Sequence, residues 1–238
     1  MSVKTLTIDG VEIAIEEGAS ILKAAQENGI RIPTLCHLDG VSEVGACRLC
    51  IVQVEGINKL LPACVTEVTE GMKVHTHNKQ IDEYRRMIVE MLFAEGNHVC
   101  AVCVANGNCE LQDLAIEVGM DHSRFPYRFP SREVDITHDR FGIDHNRCVL
   151  CTRCVRVCDE IEGAHVWDVA NRGAAAKVIT GLNQSWGSVT ACTSCGKCVE
   201  ACPTGAIFRK GSTVAEMTRD RSKLDFIVNA REKHEWTR

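Results

Sequence analysis

Four kinds of signal are missing from this chain, and each absence removes a class of function. There is no excess of charge of one sign: 27 Lys and Arg stand against 32 Asp and Glu in 238 residues, a net charge of −5. A balance like that gives no general drive toward nucleic acid or anionic lipid. There is no long apolar run, since the longest, "MIVEMLFA" at 87–94, is broken by Glu90 and far too short to span a bilayer. The opening "MSVKTLTIDGVEIAI" has neither the basic start nor the unbroken apolar centre of an export signal. Finally, neither G-x-G-x-x-G nor G-x-x-x-x-G-K-[ST] occurs, so nothing in the sequence argues for a nucleotide site of its own. The expectation is a soluble, cytoplasmic protein of two or three domains, without a transmembrane segment or a nucleic-acid partner.

What the chain has in abundance is cysteine: 15 residues, an odd number, with no export signal to suggest a disulfide scaffold. In a reducing compartment clustered thiols point to metal, and here they fall into four groups. Cys36, Cys47, Cys50 and Cys64 are separated by ten, two and thirteen residues. Cys100, Cys103 and Cys109 follow, with His98 just upstream. Then "RCVLCTRCVRVC" supplies Cys148, Cys151, Cys154 and Cys158, and "ACTSCGKCVEACP" repeats the rhythm with Cys192, Cys195, Cys198 and Cys202. No cysteine is left over.

Zinc is the main rival metal, because C-x2-C pairs and four thiolates suit a tetrahedral ion. Zinc pairs, however, usually stand apart, whereas these runs place three thiols at i, i+3 and i+6 and a fourth at i+10. Three thiolates at that beat let one tight loop wrap three corners of a cubane, with backbone N–H groups facing the inorganic sulfurs. "CGKCVEACP" matches the bacterial ferredoxin run C-x2-C-x2-C-x3-C-P. In two-cluster ferredoxins the fourth cysteine of each run ligates the other cluster. A thiol four residues past the third ligand, at the start of a helix, is expected to point away from the first cubane. One 4Fe–4S cluster is therefore assigned to Cys148, Cys151, Cys154 and Cys202, and another to Cys192, Cys195, Cys198 and Cys158. Asp159 replaces the usual Pro after Cys158, a small departure because Pro shapes the turn and binds no iron.

The remaining chain gives the domains. "KTLTID" and "VEIAI" alternate around Asp9-Gly10, which predicts a hairpin. Ser20 is placed to cap a helix that carries Ile21, Leu22, Ala24 and Ala25 and stops at Gly29. "CIVQVEG" and "MKVHT" read as further strands, so residues 1–78 are expected to form a β-grasp 2Fe–2S ferredoxin-like domain. Asn78 then caps a helix with an expected apolar face of Ile81, Tyr84, Ile88, Met91 and Leu92, ended by Gly96. Residues 79–120 are read as a small His/Cys3 4Fe–4S helical domain, in which neutral His98 completes the ligand set and raises the potential by removing one negative charge. A proline-bearing linker (121–138) leads to a double 4Fe–4S ferredoxin domain (139–211) and a C-terminal docking tail (212–238). The fold class is α+β. Arg147, Arg153, Arg156 and Lys197, inside the cysteine runs, either offset cluster charge or are simply solvated. "DEIEG" at 159–163 reads as solvated surface, and His37, His145 and the other histidines as structural.

This order of centres, with "GACRLC", "AEGNHVC", "NGNCELQD" and "GIDHNRCVLCTRCVRVCDEIEGAHVWD", resembles the N-terminal region of the complex I large iron–sulfur subunit. It also resembles the accessory region of iron-only hydrogenases. In particular it resembles the small diaphorase subunit of bidirectional, NAD(P)-linked nickel–iron hydrogenases of the cyanobacterial type. The ligand His of such relatives commonly stands three residues before the first cysteine; here only Val99 separates His98 from Cys100. The resemblance implies one 2Fe–2S and three 4Fe–4S clusters, with flavin and NAD(P) on a partner subunit only. It implies a relay of single electrons between a flavin- and NAD(P)-binding diaphorase subunit and nickel–iron hydrogenase small and large subunits. None of the ligands is then a general acid, base or nucleophile. No cysteines remain for a hydrogen-splitting centre, so this is not expected to be an iron-only hydrogenase itself. The alternatives are the same wire in a formate dehydrogenase or complex I-like assembly, a free-standing carrier, or a structural metal-binding scaffold.

Overall fold

The computed structural model describes residues 2–222 and 224. Of the expected docking tail, Lys223 and residues 225–238, with Phe226, Ile227 and Val228, lie outside the described residues. The chain divides into two compact units. One holds the described residues up to His37, with Glu43–Glu90 and Leu114–His122; the other holds Leu38–Ser42, Met91–Asp113 and the described residues from Ser123 on.

The first unit is built on a five-stranded sheet. β1 (Val3–Ile8) and β2 (Val11–Glu16) form the expected antiparallel hairpin, with Leu6 opposite Ile13. Alternation sends Leu6, Ile8, Ile13 and Ile15 inward. β3 (Ile51–Val54), β4 (Leu61–Pro62) and β5 (Met72–His75) complete the order β2-β1-β5-β3-β4, in which β1 and β5 run parallel. Helix α1 (Ile21–Glu27) starts where the Ser20 side chain accepts a bond from Lys23 N (3.2 Å). It buries Ile21, Leu22, Ala24 and Ala25 against the sheet, each large side chain worth about 1.5–3 kcal/mol.

Asn78 caps α2 (Lys79–Glu95), its side-chain oxygen accepting from Gln80 N and Ile81 N at 3.0 and 2.9 Å. The buried face of α2 differs from the one expected. Tyr84 and Met91 are 42 % and 43 % exposed, while Arg85, Val89 and Glu90 are buried beside Ile81. Arg85 takes the inward place because backbone carbonyls wait there for its guanidinium, and Glu90 because Arg86 covers it (2.8 Å).

In the second unit β7 (Phe141–Asp144) lies between β6 (Val134–Asp135) and β10 (Ile207–Arg209). β6 falls within the stretch read as linker and pairs antiparallel with β7. β8 (Trp167–Ala170) and β9 (Lys177–Thr180) form a separate hairpin. Helix α3 (Glu110–Glu117) belongs to this unit as far as Asp113. Two short helices, α4 (Arg153–Arg156) and α5 (Lys197–Ala201), each carry the third cysteine of a run. The described start of the tail packs on its own chain: Ala215 N and Met217 N donate to the carbonyls of Cys103 and Val104 at 3.1 and 3.0 Å.

Candidate metal centres

In the first unit Cys36, Cys47, Cys50 and Cys64 come together as two pairs. Cys47 is hydrogen-bonded to Cys36, and that contact, with burial, pushes the Cys47 thiol up. Cys50 is pushed down to about 7 by the Cys64 thiol, while Cys64 is pushed up in return. The charge of Cys36 acts on all three others, so the four sulfurs share one environment. Two pairs of thiolates are the donor set a two-iron cluster takes. The loop that presents them has left-handed backbone at Gly45 and Arg48, on either side of Cys47. A residue the sequence did not single out fixes its far end. Arg85, 2 % exposed, donates from Nε to Leu49 O (3.0 Å) and from Nη2 to Ile51 O (2.9 Å), bracketing Cys50.

In the second unit the two long runs fold into the same loop. Leu150 and Ser194, before the second cysteine of each run, have φ of 52° and 57°; Thr152 and Gly196, after it, have 59° and 79°. Three of these four are not glycine, and left-handed backbone there costs of order 1–3 kcal/mol each, a load found where a site holds it in place. Backbone groups at Leu150 and Arg153 bond to Cys148 and Cys151, lowering their thiol values against burial, which pushes them to about 11 and 12.

Each loop lines a cavity, and the fourth cysteines are exchanged. One cavity is lined by Cys148, Cys151, Cys154 and Cys202, with apolar side chains such as Ile143, Val178 and Ile207. The other is lined by Cys192, Cys195, Cys198 and Cys158, with Phe141, Trp167 and Trp186. The expected reason for this exchange needs correction. The fourth cysteine does not open a helix; it follows one. A regular α-helix would set residues i and i+4 on one face, so the chain leaves α geometry at both places. Cys202 is extended (φ −64°, ψ 125°), and Cys158 lies in a π-helical segment, Val157–Glu162.

Cations in these runs are not solvated. Arg153 and Arg156 are buried, Arg153 gripping Glu110 with two bonds of 2.9 Å. Lys197 bonds Glu162, which also accepts from Thr193 Oγ1 at 2.7 Å. Glu162 of "DEIEG" is thus part of the cavity wall rather than free surface.

The third set is held differently. The charge of Cys103 acts on both Cys100 and Cys109, and burial pushes Cys109 up to about 11. Gly205 matters here: a Cβ on it would stand 2.5 Å from Cys103 Sγ. Burial pushes His98 down to about 4, with a hydrogen bond to the Leu92 backbone acting the other way. Its Nε2 is buried with no hydrogen-bond partner, the state of a nitrogen that suits a metal. The ring packs over Gly96 and edge-on to Phe93, and none of these contacts is a cysteine.

His138, read as structural, reaches toward a candidate ligand. Arg140 N and Phe141 N donate to its Nδ1 at 3.1 and 3.3 Å, so the proton resides on Nε2. That nitrogen lies 3.1 Å from Ser194 Oγ and 3.7 Å from Cys192 Sγ. Among the described residues no three His, Cys, Asp or Glu side chains meet at a point that would hold a single ion. The sulfurs of the two long runs ring voids instead. Thiols around a void, an orphaned imidazole nitrogen and a glycine that makes room for a sulfur all fit polynuclear iron–sulfur cofactors.

Fold and donor sets together define an iron–sulfur protein of ferredoxin-type modules. Family models agree along the chain: a 2Fe-2S iron-sulfur cluster binding domain matches residues 3–79, and the NADH-ubiquinone oxidoreductase-G iron-sulfur binding region matches 85–124. The ferredoxin-like domain of NADH-quinone oxidoreductase subunit 3 matches 140–208. The gamma subunit of the NAD-reducing hydrogenase HoxS of Cupriavidus necator is 36 % identical over 206 residues, 86 % of each chain. The chain belongs to the family of iron–sulfur subunits that includes this gamma subunit. An NADH-quinone oxidoreductase subunit of Rhizobium meliloti is 38 % identical over 205 residues, but the match spans only 23 % of that longer protein. A crystal structure of an NAD+-reducing [NiFe]-hydrogenase in the H2-reduced state contains a chain that superposes with a TM-score of 0.82. That chain is 33 % identical, and the match covers 88 % of both. Among the described residues no helix is long and apolar enough to cross a membrane.

Proposed function

We propose that this chain is a non-catalytic, cytoplasmic electron relay of an NAD(P)-linked hydrogenase complex. It passes single electrons between a flavin-bearing diaphorase subunit that handles NAD(P)H and the small and large subunits of a nickel–iron hydrogenase. The reaction served is H2 + NAD(P)+ = H+ + NAD(P)H. The ligand sets are Cys36, Cys47, Cys50 and Cys64 for one 2Fe–2S cluster, and three sets for 4Fe–4S clusters. These are His98, Cys100, Cys103 and Cys109; Cys148, Cys151, Cys154 and Cys202; and Cys158, Cys192, Cys195 and Cys198.

The observation that carries the reading is the pair of cavities with exchanged fourth cysteines, an arrangement that serves two neighbouring clusters and has no use in a zinc knuckle. Likeness over 86–88 % of both chains to hydrogenase proteins supports that complex. When bound, the clusters supply one-electron redox chemistry. The chain's residues do the rest: the left-handed loops hold three sulfurs apart, and apolar walls keep water from the voids. Buried Arg153 and Arg156 place positive charge beside thiolates that carry negative charge. Nothing in the sets is positioned as an acid, base or nucleophile, because every donor is committed to holding metal.

The test is to tag the chain in its native host, purify it anaerobically, and assay hydrogen-dependent NAD(P)+ reduction. Activity, with flavin and nickel–iron subunits co-purifying, supports the reading. Reduction by formate or a quinone but not by hydrogen assigns the relay to another machine, and a colourless zinc protein refutes it.

A further inference from the structure

We propose that Trp186 is a positioning residue that raises the reduction potential of the centre at Cys158, Cys192, Cys195 and Cys198 by donating its indole N–H to a ligand sulfur. This rests on the cluster reading of that cavity. Trp186 Nε1 lies 3.4 Å from Cys192 Sγ. Both tryptophans are buried, and both line the cavity. An indole N–H is a donor only, so the sulfur is the acceptor in either state of the thiol.

Core packing alone does not account for this pairing. A buried indole N–H needs an acceptor and usually finds a carbonyl or a side-chain oxygen. Here the Trp186 indole meets a sulfur of the set. The rings are also locked in place. Trp186 packs against Trp167 at 4.7 Å, His138 at 4.7 Å and Phe141 at 5.8 Å, and its backbone N–H donates to Asp135 Oδ2 at 2.7 Å. His138 Nε2–H, 3.7 Å from Cys192 Sγ, lies on the same side.

The twin cavity has no counterpart. Among the described residues no tryptophan lines it, and the bonds to Cys148 and Cys151 come from backbone groups at Leu150 and Arg153. The duplicated motif thus produces two sites that differ in side-chain donors to sulfur. A cluster gains negative charge on reduction, and a donor aimed at a ligand sulfur stabilises the more negative state more strongly. Trp186 therefore makes this one centre easier to reduce.

The experiment is potentiometric EPR on the anaerobically purified complex with Trp186→Phe, which keeps a ring in place. The change is expected to lower the one-electron reduction constant of one 4Fe–4S centre about tenfold, equal to 59 mV, with the other centres unmoved. Pulsed EPR on protein carrying 15N-indole tryptophan gives the second readout: a 15N coupling on that centre, lost in the Trp186→Phe variant. Unchanged potentials with the centre present overturn the proposal. So does the lack of any 15N coupling in the unsubstituted protein, a result that stands even if a Phe variant fails to assemble. No 4Fe–4S signal in the unsubstituted protein would instead overturn the cluster reading on which the proposal rests.

Discussion

Glu110→Gln should damage the second unit more than Arg153→Met, although the two residues are partners in one ion pair. Arg153 is 2 % exposed and depends on Glu110 for its two bonds of 2.9 Å; its bond to Ala201 O is long, at 3.4 Å, and its Nε has no partner. Glu110 has a second partner in Arg221. With Gln at 110, one amide nitrogen faces a guanidinium donor and the buried charge is uncompensated, a loss of about 3 kcal/mol. With Met at 153, Glu110 keeps Arg221 and sheds its most buried neighbour, so the cost is about 1–2 kcal/mol. The double variant removes the stranded charge and should be more stable than Glu110→Gln alone. Burial acts to raise the Glu110 carboxyl, but Arg153 and Arg221 outweigh it and hold it below its ordinary value. A carboxylate lowered in this way contributes fully above the unfolded value of about 4.3 and loses its contribution only as pH falls through the folded one. A melt at about pH 7.5 therefore reads the whole effect. Followed by visible circular dichroism at one anaerobic scan rate, the Glu110→Gln midpoint should fall by about 6–12 °C at 2–4 °C per kcal/mol. If Arg153→Met melts as low as Glu110→Gln, or the double variant melts lower than both, the reasoning about an unpaired buried charge is wrong.

Two further outcomes follow from the ligand sets. Arg85→Met removes both bonds that bracket Cys50, each worth about 1.5–3 kcal/mol as a charge-assisted bond; EPR of the purified complex should show the 2Fe–2S signal depleted and the 4Fe–4S signals at full intensity. Cys202→Ser should alter the same 4Fe–4S signal as Cys148→Ser, and Cys158→Ser the same signal as Cys192→Ser. The opposite pairing would mean that each run keeps its own fourth cysteine.

Local signals in the sequence were enough for much of the fold. Asp9-Gly10 between two alternating segments is a hairpin because the turn and the period are both local, and Ser20 and Asn78 cap helices through bonds to residues two or three positions away. The inward face of α2 was not legible. Periodicity ranks Tyr84 and Met91 as core and Arg85 as surface, but what decides is a pair of carbonyls at Leu49 and Ile51, more than thirty positions away in sequence. β6 is hidden for a similar reason: two residues, Val134 and Asp135, carry no pattern until β7 offers an edge.

The cysteines were legible because cluster chemistry demands both residue type and spacing. What surrounds them was not, because hydrogen bonds to sulfur, buried cations and room for a sulfur impose no spacing on the sequence. Gly205 looks like an ordinary glycine after Pro203-Thr204 until Cys103 Sγ is seen where its Cβ would be. Nothing in the sequence marks Trp186 as a donor to sulfur, because stacking and N–H donation call for the same residue. The two nearly identical loops at 148–154 and 192–198, with left-handed backbone at matching places, would hold equivalent centres if the loops alone decided. They are unequal because the walls around them are built from different parts of the chain: β9 and the segment after Cys202 close one cavity, and β8 with the Trp186 segment closes the other. A duplicated motif therefore specifies the ligands twice, while the difference between the two sites is written in residues that no cysteine pattern reveals.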